Sequence, residues 1–131
     1  DYLKECFDLV KNTDTKNLSW FEKMNKYNET YFRYFAQKPV IFRLVFLENL
    51  KKYPIDIMNE NSLEIDSVFL KHLENGKKRG IIKNKNIKML HDLIASSIHG
   101  KLLFLITKRK NESIDESINQ LKEEINYLLK R

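Results

Sequence analysis

The stretch that decides the fold runs from Ser62 to Gly80, S-L-E-I-D-S-V-F-L-K-H-L-E-N-G-K-K-R-G, and resumes from Asn86 to Phe104 as N-I-K-M-L-H-D-L-I-A-S-S-I-H-G-K-L-L-F. The first part reads as a helix punctuated by Gly76 and Gly80. The second reads as a helix that is apolar on more than one face and carries Gly100 inside it. Two apolar faces need two surfaces to cover them. In a chain of 131 residues the second surface is most simply another copy of the same protein.

Outward from this stretch the chain reads as helix throughout. Gly 3 and Pro 2 leave few breakers for the tight turns of a sandwich or barrel, and the length fits one domain. Six helical segments are predicted. The first covers about Asp1 to Lys11. The second runs from about Leu18 to Ala36, with Leu18, Phe21, Met24, Asn28, Tyr31, Phe32 and Phe35 on its core face.

Pro39 starts a third segment to Lys51, apolar nearly all round and so expected deep in the domain. Asn61, with Glu64 at the capping-box position, is expected to open the fourth, which ends at Arg79 with Gly80 in the left-handed position. Asn84 or Asn86 caps the fifth, to about Thr107, and Asn111 or Ser113 opens the sixth, to about Leu129.

In the sixth segment Ile114, Ile118, Leu121, Ile125 and Leu128 alternate at four and three residues, the stripe of a bundle seam. The fifth offers Ile87, Leu90, Ile94, Ile98 and Leu105 on one face, and Met89, Leu93, Ser97, Gly100 and Phe104 on another. Pairing both segments with a two-fold mate gives a four-helix seam, in which Ser97, Gly100, Leu103 and Phe104 join the stripe of the sixth.

The formal charge of +6 permits contact with nucleic acid or an anionic surface, but basic and acidic residues interleave along most of the chain. Only Lys77-Lys78-Arg79 with Lys83, Lys85 and Lys88, and Lys108-Arg109-Lys110, are locally dense, and both suit helix ends and loops. A lone Cys6 excludes an internal disulfide and a cysteine metal cluster, which suits a reducing cytoplasm. No signal peptide is visible, and no uninterrupted apolar run is long enough to span a membrane.

His72, His91 and His99 lack metal-ligand spacing, and Ser96 and Ser97 lack the context of an activated nucleophile. Neither an enzyme nor a cofactor or metal is therefore expected. Asn28 stands out because it interrupts the apolar face between Met24 and Phe32, where a buried amide needs partners. Arg43 and Asp66 pose the same question on their own segments, and the three could pair with one another.

The run Phe69-Leu70-Lys71-His72-Leu73-Glu74-Asn75-Gly76-Lys77-Lys78-Arg79-Gly80-Ile81-Ile82, followed by a helix with an internal glycine, resembles the C-terminal regulatory domain of TetR-family transcriptional regulators. The aromatic segment Tyr31-Phe32-Arg33-Tyr34-Phe35 before a Pro-initiated apolar helix is similar to the same family's region. The resemblance spans the chain in helix order and implies an all-α, six-helix homodimer that senses a small apolar or aromatic effector.

It also implies a pocket drawing on Met24, Asn28, Phe32, Phe35, Phe42, Phe46, Phe69, His72 and Met89. The first segment then corresponds to the family's linker helix. The family's helix-turn-helix domain would precede Asp1, so the chain is expected to be a fragment that meets DNA only through that domain. A free-standing helical adaptor, and a nucleic-acid binder working through Lys77 to Lys88, are the rival readings.

Overall fold

A computed structural model describes residues 2–44, 55–83, 86–107 and 112–130, with the side chains of α4 described from Ile65 onward. The described residues are all-α, without a strand. They form α1 (Tyr2–Lys11), α2 (Trp20–Ala36), α3 (Pro39–Phe42), α4 (Ile55–Lys78), α5 (Ile87–Ile106) and α6 (Ile114–Lys130). The long helix α2 lies at the centre and touches every other one, while α1 rests on α2 and α4, and α6 on α2 and α5.

Local chemistry sets the ends. The Ser19 hydroxyl accepts from the Glu22 amide at 3.2 Å, so α2 starts at Trp20, two residues later than its apolar pattern suggests. Asn86 caps α5 through the Met89 amide, and the Ser113 hydroxyl accepts from the Glu116 amide at the start of α6. At the end of α4, Gly80 adopts φ +77°, the Gly80 amide bonds the Lys77 carbonyl, and the Ile81 amide bonds the Gly76 carbonyl at 2.8 Å. That pair of bonds is a Schellman cap, as the spacing of the two glycines predicts.

Gly76 has a second role. A Cβ placed there would stand 2.5 Å from the Trp20 ring, so the missing side chain is the seat of the indole. The Trp20 Nε1–H donates to the His72 carbonyl at 2.9 Å, and the His72 ring returns a 2.9 Å bond to the Trp20 carbonyl. The two rings stack, 4.6 Å apart and 9° from parallel. This reciprocal clasp fixes the start of α2 on the last turns of α4.

Two expected boundaries change. Helix α4 is described from Ile55, so Asn61 lies inside it and not at its start. Asn61 and Ser62 are tolerated inside a helix at a small cost in propensity. Helix α3 is described only as Pro39–Phe42; the rest of the expected segment, to Lys51, lies mostly outside the described residues. It is not buried all round: Phe42 is 2% exposed, yet Val40 is 66% exposed.

The stripe of α6 is consumed within the chain. Ile118, Leu121 and Ile125 are buried with Leu129, while Ile114 and Leu128 pack partly exposed at the edge of this core. The expected use of Ile118, Leu121 and Ile125 as a seam between subunits therefore gives way to packing against α2 and α5. A helix crossing two others has no stripe to spare. Ion pairs set its register, with Arg33 to Asp115 at 2.8 Å, Lys122 to Glu29 at 3.3 Å and Lys101 to Glu124 at 2.9 Å.

Helix α5 does keep two faces. Leu90, Ile94, Ile98 and Leu102 are buried, whereas Met89, Leu93 and Phe104 are 60%, 47% and 40% exposed. Ser97, Gly100 and Leu103 are half-buried on it, and a Cβ at Gly100 would meet nothing within 4 Å. By length and composition alone, with a mean hydropathy of 1.3, α5 also qualifies as a membrane-spanning helix, which its short uninterrupted runs had argued against. Among the described residues its inward face serves as core.

Candidate functional site

Where α2, α4 and α5 meet, the side chains leave a cavity of about 40 Å³. Helix α2 supplies Met24, Asn28 and Tyr31; α4 supplies Ile65, Asp66, Phe69 and Leu73; α5 closes it with His91, Ala95 and His99 flanked by Ile94 and Ile98. The α5 residues recur at the spacing of one helix face, and the small Ala95 leaves the room.

Asn28 is the anomaly in this lining. It is 1% exposed, and among the described residues neither its Oδ1 nor its Nδ2 has a hydrogen-bond partner. An unsatisfied amide in a folded interior costs about 1–3 kcal/mol. Asn28 is therefore a place where stability has been given up. Arg43 is exposed and Asp66 pairs elsewhere, so neither satisfies it.

The other polar groups of the wall are paired. Tyr31 Oη and His99 Nε2 lie 2.7 Å apart. The His99 ring also bonds the Ala95 carbonyl, which leaves Nε2 to accept the Tyr31 proton. Burial pushes the Tyr31 hydroxyl well up and pulls His99 below the ordinary histidine value, so both are neutral at pH 7.

His91 behaves oppositely. Its ion pair with Asp66, Nε2 to Oδ1 at 3.6 Å, raises its pKa against the opposing effect of burial. Asp66 and His91 also line an outer groove of about 430 Å³ with Leu70, Lys71, Glu74 and Lys88. The pair thus forms the partition between the interior cavity and the surface.

Of the residues expected at a pocket, Met24, Asn28 and Phe69 lie on the cavity. Phe32, Phe35 and Phe42 are buried in the core beside it without lining it. His72 is taken up by the Trp20 clasp, and burial lowers its pKa. Met89 is exposed on the outer face of α5, away from the cavity, because it sits one position off the inward stripe. Phe46 lies outside the described residues. Sequence reasoning missed Tyr31, His91 and His99 as wall residues. The available signal was the recurrence of His91, Ala95 and His99 every four residues.

No group of three or more His, Cys, Asp or Glu side chains able to hold a metal occurs among the described residues. Against known proteins, no family model and no solved structure matches the chain. It is 29% identical over 123 residues to the DNA-directed RNA polymerase subunit alpha of Carsonella ruddii (strain PV). That similarity takes in 91% of this chain, which spans 36% of the length of the curated relative it matches.

Proposed function

We propose that the chain is the effector-sensing and dimerisation domain of a TetR-like transcriptional regulator, acting as a repressor. The observation that carries the reading is the cavity holding the unpartnered Asn28, because two of its three walls, α2 and α4, are the helices on which α1 rests. At about 40 Å³ the cavity has room for roughly one water-sized group. A larger apolar or aromatic effector must part α4 from α2 and α5. Such a ligand favours whichever position of α4 admits it, and α1 moves with α4. In a full-length regulator α1 would pass that movement to the domains that meet DNA.

The open stripe of α5 supports homodimerisation. Met89, Leu93 and Phe104 with the bare backbone at Gly100 offer an apolar face that a second copy would cover. Multi-angle light scattering tests this half of the reading. Wild-type protein is expected to be a dimer and Gly100→Leu a folded monomer, since a Cβ at Gly100 meets nothing within 4 Å in its own subunit. Two species of equal mass, both monomeric, would remove the dimer from the proposal.

The same exposed stripe favours a second reading, an adaptor in which α5 binds a different protein. The partial likeness to an RNA polymerase alpha subunit is compatible with a place in transcription but lends no residue to either reading.

A further inference from the structure

The partition between cavity and groove holds a titratable ring whose two nitrogens face different helices. His91 Nε2 lies 3.6 Å from Asp66 Oδ1 on α4, and Nδ1 lies 3.8 Å from Asp92 Oδ1 on its own helix, α5. The imidazole is 13% exposed, against 44% and 68% for the two carboxyl side chains. A neutral imidazole has one N–H to offer, whereas the imidazolium has two and a charge to go with them. Protonation therefore turns a one-sided contact into a bridge from α5 to α4.

The other groups facing this bridge come from three helices. Lys71 and Glu74 of α4 and Lys88 of α5 share the outer groove with it. Toward the interior α2 presents Tyr31, which is bonded to His99 of α5 at 2.7 Å. Among the described residues α6 engages the far part of α5, where Lys101 meets Gln120 and Glu124. Asp66 prevails at His91, since its contact raises the proton affinity of the ring despite burial.

We infer that His91 is a proton-operated latch between α4 and α5: protonated, it ties the two helices through Asp66, and neutral, it lets α4 part from α5. The device needs no ligand or partner. It goes beyond the sensing role proposed above, in which α4 is the part that moves.

Farther along α5, His99 works in the opposite sense. It holds α2 only while neutral, because its Nε2 must accept the Tyr31 proton. Burial lowers the pKa of His99 below 6.5, and Asp66 raises that of His91 above it. Helix α5 is thus tied to both neighbours in a window around pH 6.5. Rising pH loosens the tie to α4, and falling pH loosens the tie to α2. Because Asp66 is partly exposed, the first tie is modest, and its release enlarges the open population roughly two- to fivefold.

NMR on the protein alone tests the latch. The His91 ring signals follow its titration, and methyl relaxation dispersion at Ile65 and Leu73 of α4 and Ile94 of α5 follows the open population. In the wild type His91 is expected to titrate above 6.5, with the open population roughly two- to fivefold larger once the ring is neutral. Asp66→Asn is expected to lose both the raised titration and the pH response, whereas Asp92→Asn keeps the response of α4.

A wild-type His91 that titrates at or below 6.5 would overturn the latch. An open population that is the same, or undetectable, on both sides of the titration would overturn it as well; both results are read on the wild type alone. A pH response that survives Asp66→Asn would assign it to another group and refute the bridge. Each of these results leaves the effector and dimer readings standing, since neither a ligand nor the open face of α5 enters the measurement.

Discussion

Replacing Gly76 by alanine measures the clasp between α2 and α4. On an open helix surface the change would stabilise the chain by up to about 1 kcal/mol, because glycine is the poorer helix former. Here the new Cβ would stand 2.5 Å from Cε2 and Cζ2 of Trp20 and 2.8 Å from its Nε1. Ordinary carbon contacts begin about 1 Å farther out. The ring cannot swing aside freely, since its Nε1–H is bonded to the His72 carbonyl and its face is stacked on the His72 ring.

Overpacking of this kind costs about 1–3 kcal/mol, and breaking the indole hydrogen bond adds about 1 kcal/mol. After subtracting the helix gain, Gly76→Ala is expected to be less stable by about 1–3 kcal/mol. In a domain of this size that lowers the melting temperature by roughly 4–12 °C. Chemical unfolding followed by Trp20 fluorescence and by circular dichroism reads both the loss and its site. An unchanged or raised midpoint would refute the seating of Trp20 on Gly76.

The other two glycines serve as opposite controls in the same assay. Gly80→Ala is expected to cost about 1 kcal/mol through its positive φ of 77° alone, whereas Gly100→Ala should gain up to about 1 kcal/mol. Leu121→Asp should unfold the subunit rather than separate subunits, by more than about 4 kcal/mol, because the side chain is 1% exposed in the subunit's own core; a folded monomer on circular dichroism and light scattering would return α6 to the seam.

The histidines predict stability that falls on both sides of neutrality. His91 is raised, so its contribution is complete below the unfolded value of 6.5 and is lost as pH rises through its folded pKa. His72 and His99 are lowered, so theirs is present above 6.5 and is lost as pH falls through their folded values. Urea midpoints between about pH 5 and 8 should show His91→Gln losing the alkaline decline and His99→Gln reducing the acid one.

Local signals carried the helices. The Gly76–Gly80 spacing foretold the cap of α4, the two-faced pattern of α5 foretold one buried and one open stripe, and Asn28 declared itself as a polar interruption. What stayed hidden was long-range pairing. Trp20 and Gly76 are far apart in sequence, and nothing near either says that one seats the other. The box Ser19-Trp20-Phe21-Glu22 was a readable start for α2 that the apolar pattern outweighed.

Periodicity failed differently at α6. A stripe of Ile118, Leu121 and Ile125 looks the same whether it meets its own α2 or another subunit, because apolar burial is non-directional. Site residues were harder still. His91 enters the cavity wall only because Asp66 comes opposite it on a neighbouring helix, and His72 leaves the pocket only because Trp20 claims it.

Hydrogen exchange of α1 with the cavity filled tests the central claim most directly. At a saturating concentration of an aromatic probe larger than the cavity, such as indole, the amides of α1 should change their protection together with those of α4, while the far side of α6 stays constant. Slower exchange confined to the lining of α2 and α5, with α1 untouched, would contradict a sensor whose signal leaves through α1.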